Sequence, residues 1–187
     1  MREIEVKARV SEPAKLIEKL EALGCVFTDP VSQEDIIFVR EPGSSVDEYL
    51  ENHHFLRLRT LGDGRTIFTA KHNPSRKHFG DTVTTEHETE IASRDIMADI
   101  ILMLGFTEAV RVTKHRRTAK LDEFEICLDE LPGIGSFIEV ERCVADDSEH
   151  DAIVASMHAL LSELGIAEED KKVKRYDIQM LDLHYGN

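Results

Sequence analysis

The chain has 187 residues and a net charge of −14, from 37 Asp+Glu against 23 Lys+Arg. That length suits one domain over residues 1–187 with a single sizeable core, and the acidic excess argues against nucleic acid or an anionic membrane as a partner, so an anionic ligand would need a local basic pocket. Three scattered cysteines, no apolar leader after Met1 and no run near the ~18 apolar residues of a membrane span predict reduced thiols in a cytoplasmic protein.

In chain order, period-2 alternation predicts a first strand at 2–10. Ser11, then Leu16, Ile17, Leu20 and Leu23, then Gly24, mark a helix. A strand follows at 33–40, and Glu41–His54 carries the Pro, Gly and Ser residues of a loop. Strands are predicted at 55–61 and 66–72, a second loop at Asn73–Thr82, and a strand at 84–91. Ser93, with Ile96, Ile100 and Leu104 before Gly105, marks the next helix. Strands at 109–120, 123–130 and 136–144 precede a helix from Ser148 to Leu164-Gly165, and Lys171–Leu183 reads as a shorter last helix. A weak repeat runs through this order, since Glu3-Ile4-Glu5, Glu88-Thr89-Glu90 and Glu139-Val140-Glu141 each lie in a strand leading to a Leu-Gly helix.

Residues i and i+2 of a strand share a face. Glu3, Glu5, Lys7 and Arg9 therefore oppose Ile4, Val6, Ala8 and Val10; Arg57 and Arg59 oppose Leu56 and Leu58; Glu139 and Glu141 oppose Ile138 and Val140. If the apolar strand faces and helices make one core, the charged faces share the other side of the sheet. An antiparallel sheet of this many strands tends to curl and close. The fold class is thus α+β, a closed antiparallel eight-stranded β-barrel with helices packed outside. Its interior would be lined by Glu3, Glu5, Glu88, Glu90, Asp129, Glu139 and Glu141 against Lys7, Arg9, Arg57, Arg59, Lys71, Lys114 and Arg116. So many charges cannot sit unpaired in a dry interior, so the lining must be wet, paired or filled by ions and ligand. Carboxylates suit Mg²⁺ or Mn²⁺ and the cations suit phosphate oxygens, which together fit a metal–polyphosphate complex. No phosphate loop, His-Glu-x-x-His or Gly-x-Ser-x-Gly motif offers another chemistry.

These blocks resemble the CYTH family, the triphosphate tunnel metalloenzymes, which include thiamine triphosphatase, inorganic tripolyphosphatases and class IV adenylyl cyclases. Glu3-Ile4-Glu5-Val6-Lys7 is similar to the signature Glu-x-Glu-x-Lys, and the likeness continues through Gln33–Phe38, Leu56–Arg59, Thr69–Lys71, Glu88–Glu90, Lys114–Arg116, Leu128–Glu141 and Tyr176. The resemblance implies that Glu3, Glu5, Glu139 and Glu141, with Glu88, Glu90 or Asp129 in support, handle metal. It implies phosphate binding by Lys7, Arg57, Arg59, Lys71, Lys114 and Arg116, and a catalytic group of Glu3, Glu5, Lys7, Glu139 and Glu141. One departure is Glu86, which stands where the family often has Arg.

The expected activity is metal-dependent hydrolysis of a triphosphate, whether tripolyphosphate, thiamine triphosphate or a nucleoside triphosphate. The runner-up is a class IV adenylyl cyclase making cyclic AMP and pyrophosphate from ATP, and the third reading is a non-catalytic polyphosphate sensor. Hydrolysis is preferred because the class IV cyclases extend upstream of the signature with a His-Phe pair and because aromatic residues are few; on the other side, Tyr49, Phe55, Phe79 or apolar side chains of the 41–54 loop could cradle a base. The expected partner is the small-molecule triphosphate, with a homodimer left open. Clustered Glu139 and Glu141 are expected to repel each other. The histidines, including adjacent His53-His54, read as surface or loop residues, Cys127 and Cys143 as small packing groups, and Gly133-Ile134-Gly135 as a turn.

Overall fold

The computed structural model describes residues 2–52, 54–72, 82–145 and 149–185, with the side chains of residues 2, 82 and 83 excepted. Its strands are β1 (Arg2–Val10), β2 (Val31–Val39), β3 (His54–Leu61), β4 (Thr66–His72), β5 (Thr82–Ile91), β6 (Thr107–Leu121), β7 (Phe124–Leu131) and β8 (Gly135–Val144). They form a closed barrel in the order β1-β5-β4-β3-β2-β6-β7-β8. The helices are α1 (Pro13–Ala22), α2 (Val46–Leu50), α3 (Arg94–Met103), α4 (His150–Glu163) and α5 (Tyr176–Tyr185). The α+β class and the closed eight-stranded barrel are as the alternation predicts.

The chain divides into two compact units. In the first, β1, β7, β8 and the part of β6 from Lys114 carry α1 and α4. Antiparallel registers set Lys7 opposite Glu139 and Arg116 opposite Asp129. Ile4, Val6, Ile138 and Val140 point away from those charges and pack with Leu16 and Leu20 of α1 and Met157 and Leu161 of α4. Burying each such side chain stabilises the fold by about 1.5–3 kcal/mol.

In the second unit, β2, β3, β4, most of β5 and the first part of β6 carry α2, α3 and α5. Ile101 of α3 packs on Ile36, Phe38 and Leu58. The face that bears Asp35, Arg57 and Arg59 turns apolar at Val39 and Phe55, and there Tyr49, Leu50, Ile178 and Leu181 of α2 and α5 cover it.

The helix ends follow the predicted chemistry with some shifts. Ser93 caps α3 by accepting from the Ile96 N–H, and Leu-Gly closes both α1 and α3 with left-handed Gly24 and Gly105, at φ 96° and 82°. Glu12 rather than Ser11 is the N-cap of α1, because Pro13 is already pre-set for the first turn. Ser148, His53 and the 73–81 part of the predicted loop lie outside the described residues. The predicted 41–54 loop contains α2, where Ser45 accepts from the Glu48 N–H and Glu48 accepts from Ser44. The last helix starts at Tyr176 rather than Lys171.

Candidate functional site

Alternation on β1 puts Glu3, Glu5 and Lys7 on the face opposite the first unit's core, and pairing with β8 brings Glu141 beside Glu5 and Glu139 beside Lys7. Lys7 Nζ lies 2.6 Å from Glu139 Oε1 and 3.2 Å from Glu5 Oε1. From β6, Arg116 grips Asp129 with two donors, Nε to Oδ1 and Nη2 to Oδ2 at 2.6 Å each, and also pairs with Glu139. Lys114 Nζ donates to Asp129 Oδ2 at 3.0 Å. Asp129 is therefore held by two cations, which fixes Arg116 as a planar donor fork.

Burial alone would push the Glu139 carboxyl up, but Lys7, Arg116 and Lys114 outweigh it and hold Glu139 well below the usual carboxylate range. Asp129 is depressed in the same way, burial being overcome by Lys114 and Arg116. Glu141 goes the other way. Burial pushes it well up, Arg116 at 3.4 Å only partly offsets this, and Glu139, Glu3 and Glu5 add like-charge repulsion.

Carboxylate oxygens of Glu5, Glu139 and Glu141 lie within 4.8 Å of one another. Three hard oxygen donors with an excess of negative charge, expressed in the raised Glu141, fit a hard divalent cation. A second group at the same spacing joins Glu141 to Glu125 and Cys127. Cys127 is fully buried, as a packing residue would be, yet on the charged face opposite Glu139 in register, and its thiol is pushed up by burial and then by Glu141.

In the second unit, Arg59 donates to both oxygens of buried Asp35, at 2.7 and 2.8 Å. Arg57 Nη2 reaches Glu88 at 2.9 Å and Thr69 at 3.2 Å, and Thr69 also donates to Glu88 at 2.8 Å. Glu86 takes Lys71 as its main partner, accepts from Thr84 at 3.0 Å and lies 3.6 Å from Arg57. Burial would raise its carboxyl, but Lys71 and then Arg57 hold it below the ordinary value. Glu90 is exposed beside Arg65, at 3.5 Å.

The predicted residues are grouped within each unit. Glu5, Lys7, Lys114, Arg116, Asp129, Glu139 and Glu141, with Glu3 adjoining, meet in the first; in the second, Arg57 and Lys71 meet at Glu86, Arg57 also meets Glu88, Arg59 pairs with Asp35, and Glu90 stands exposed beside Arg65. Asp35 was not assigned a role from the sequence, although its parity with Gln33 on a strand opposite Arg59 is a usable signal. Tyr49 and Phe55 are not open to a base. Both are buried, and the Tyr49 hydroxyl donates to Asp177 at 2.6 Å; Phe79 lies outside the described residues. His54 and His72 are cross-strand partners with stacked rings, 4.5 Å between centroids. Gly133-Ile134-Gly135 is a turn between β7 and β8, closed by the Ile134 N–H on Leu131 O.

The CYTH domain model matches residues 1–176. A protein of Methanocaldococcus jannaschii named "Putative adenylate cyclase" is 30% identical over 177 residues, covering 94% of this chain and 97% of that protein. A solved structure of a Pyrococcus horikoshii protein has a TM-score of 0.74 at 27% identity, over 96% of this chain and 99% of that one. A "putative adenylyl cyclase" from Hippeastrum, whose description gives it a dominant triphosphatase activity, has a TM-score of 0.57 over 88% of each chain. At 19% identity that last likeness is one of fold.

Proposed function

The chain belongs to the CYTH domain family, and from that premise we propose that it is a divalent-metal-dependent enzyme hydrolysing the terminal phosphate of a triphosphate. The observation that carries the reading is the trio of buried Glu139 and half-buried Glu5 and Glu141 beside the cations Lys7 and Arg116. Glu5, Glu139 and Glu141, with Glu3 adjoining, would hold Mg²⁺ or Mn²⁺. When bound, the ion supplies charge neutralisation to phosphate oxygens.

The side chains supply the rest by positioning and fixed charge. Lys7, Lys114 and Arg116 in the first unit, and Arg57, Arg59 and Lys71 in the second, are assigned to phosphate oxygens. A trio carboxylate orients a water in line with the terminal phosphorus; the new P–O bond forms as the bridging P–O bond breaks, and the cations stabilise the departing diphosphate. Glu88 is assigned to holding Arg57 and Asp129 to holding Lys114 and Arg116. The chain is read as working as one CYTH-like domain in the cytoplasm; among the described residues no helix is long and apolar enough to cross a membrane.

A second reading, cyclisation of ATP, is favoured by the name of the M. jannaschii relative. It requires a nucleoside held so that its 3′-hydroxyl lies in line with the α-phosphorus. Against it, Tyr49 and Phe55, two of the aromatic residues a base could have used, are committed to packing. Incubation with tripolyphosphate and with ATP, under Mg²⁺ and under Mn²⁺, separates the readings. Orthophosphate supports hydrolysis, cyclic AMP with pyrophosphate overturns it in favour of cyclisation, and binding without turnover overturns both.

A further inference from the structure

Helix α3 spends only one of its faces on the second unit's core. Ile101 is buried there, with Met97 and Ala98 partly buried beside it. On a 3.6-residue turn, Ile96, Ile100 and Met103 fall on a different side, at spacings of four and three, and they are 62%, 42% and 86% exposed. Leu104, 61% exposed, flanks this stripe at its C-terminal end. Together these side chains offer on the order of 500 Å² of contiguous apolar surface, the upper end of what a monomer leaves in one patch. A helix needs one apolar stripe to dock on its own domain, and this one carries a second.

The charges at the two ends of the stripe are opposite. Asp95 stands exposed in the first turn of α3. At the other end, exposed Arg40 lies with its guanidinium 4.6 Å over the Phe106 ring and one nitrogen beside Gly105. Neither Asp95 nor Arg40 has an ion-pair partner among the described residues. Turning a second copy of α3 antiparallel to the first sets Asp95 of each copy toward Arg40 of the other, whereas a parallel arrangement would set like charges together. The stripe is centred near Ile100, so the antiparallel arrangement also superposes apolar on apolar.

We propose that the α3 stripe is an isologous interface on which a second copy of this chain docks antiparallel, with Asp95 and Arg40 paired across the two-fold axis. The apolar patch contributes about 1,000 Å² over both partners, and rim contacts such as the Asp95–Arg40 pairs bring it into the range of a specific, modest-affinity dimer. Because the chain carries a charge of −14, the overall repulsion opposes association and salt relieves it. The two charge pairs fix the orientation.

The test is sedimentation velocity on the full chain from low micromolar to several hundred micromolar, at 50 and 300 mM salt. A concentration-dependent dimer is expected, weakened at least tenfold by Ile100→Glu, a substitution at a side chain already open to water. Asp95→Arg and Arg40→Asp should each weaken the dimer severalfold, and the double exchange should restore it, which loss of local structure would not do. A chain that stays monomeric throughout, a dimer indifferent to Ile100→Glu, or a double exchange as weak as either single one would each overturn the proposal. None of these residues belongs to the charged groups of either unit, so the outcome is independent of which reaction the barrel runs.

Discussion

Glu139 and Glu141 project from the same face of β8, two residues apart, yet their carboxyls are displaced in opposite directions. Glu139 is countered by Lys7 and Arg116, while Glu141 has one weaker cation contact and three acidic neighbours. The simple expectation that both repel, and that neutralising either relieves strain, holds for Glu141 alone. Glu139→Gln would leave Lys7 and Arg116 short of a buried counter-charge and should destabilise the fold by about 2 kcal/mol. Glu141→Gln should leave stability unchanged or raise it by up to about 1 kcal/mol. Urea unfolding reads both, and equal losses would contradict the asymmetry. Turnover should fall at least a hundredfold in each.

Glu86 is an internal anion on Lys71 and Arg57, so if those cations bind phosphate as proposed, it competes with phosphate for them. Glu86→Gln should therefore lower KM for tripolyphosphate by about tenfold, equivalent to roughly 1.4 kcal/mol, with little change in kcat. A raised KM would mean that Glu86 holds the cations in their working positions instead.

Arg57 and Arg59 share a face but not a function in the fold. Arg57→Ala removes a guanidinium shared with an exposed Glu88 and should cut kcat/KM at least tenfold, about 1.4 kcal/mol, without shifting the unfolding midpoint much. Arg59→Ala strands buried Asp35 and should also cost about 2–3 kcal/mol of stability. Equal midpoints for the two variants would overturn this distinction.

The strands were legible because charged and apolar side chains alternate over Glu3–Val10 of β1, Leu56–Arg59 of β3 and Ile138–Glu141 of β8, and the closed barrel follows from having many such strands with one common apolar side. The helices were legible where an N-cap and Leu-Gly stop bracket an apolar period, as at Ser93 and Gly105. The short α2 was not, since five residues give no period; only the Ser45–Glu48 box marks it. Alternation also says which residues share a face but not which partners they find. Nothing in the order of residues separates Glu139 from Glu141, because the difference arises from β1 and β6 delivering Lys7 and Arg116 to one and not equally to the other. Residue type suggests buried packing for Cys127 and Cys143 alike; Cys127 is buried, with its parity to Glu125 and Asp129 placing it on the charged face, whereas Cys143 is exposed.

Asp177, at the start of α5, is buried, with Arg175 and the Tyr49 hydroxyl as partners. Burial would raise its carboxyl, but the Arg175 charge and these hydrogen bonds lower it from 3.8 to about 2. A folded-state value below the unfolded one means that the ionised form binds its surroundings better in the native protein. The contribution is therefore complete above the unfolded value, near pH 4, and is lost as pH falls toward 2. A displacement of nearly two units corresponds to about 2 kcal/mol. Asp177→Asn should remove that contribution at pH 6, so that its unfolding free energy trails the unsubstituted protein by at least this amount. Between pH 4 and pH 2 the gap should narrow, because the unsubstituted protein is then losing what the variant never had. Urea titrations of both proteins at pH 6, 4 and 2.5 measure the gap directly. A gap constant across that window would show that the Arg175–Asp177–Tyr49 contact is not held by ionised Asp177.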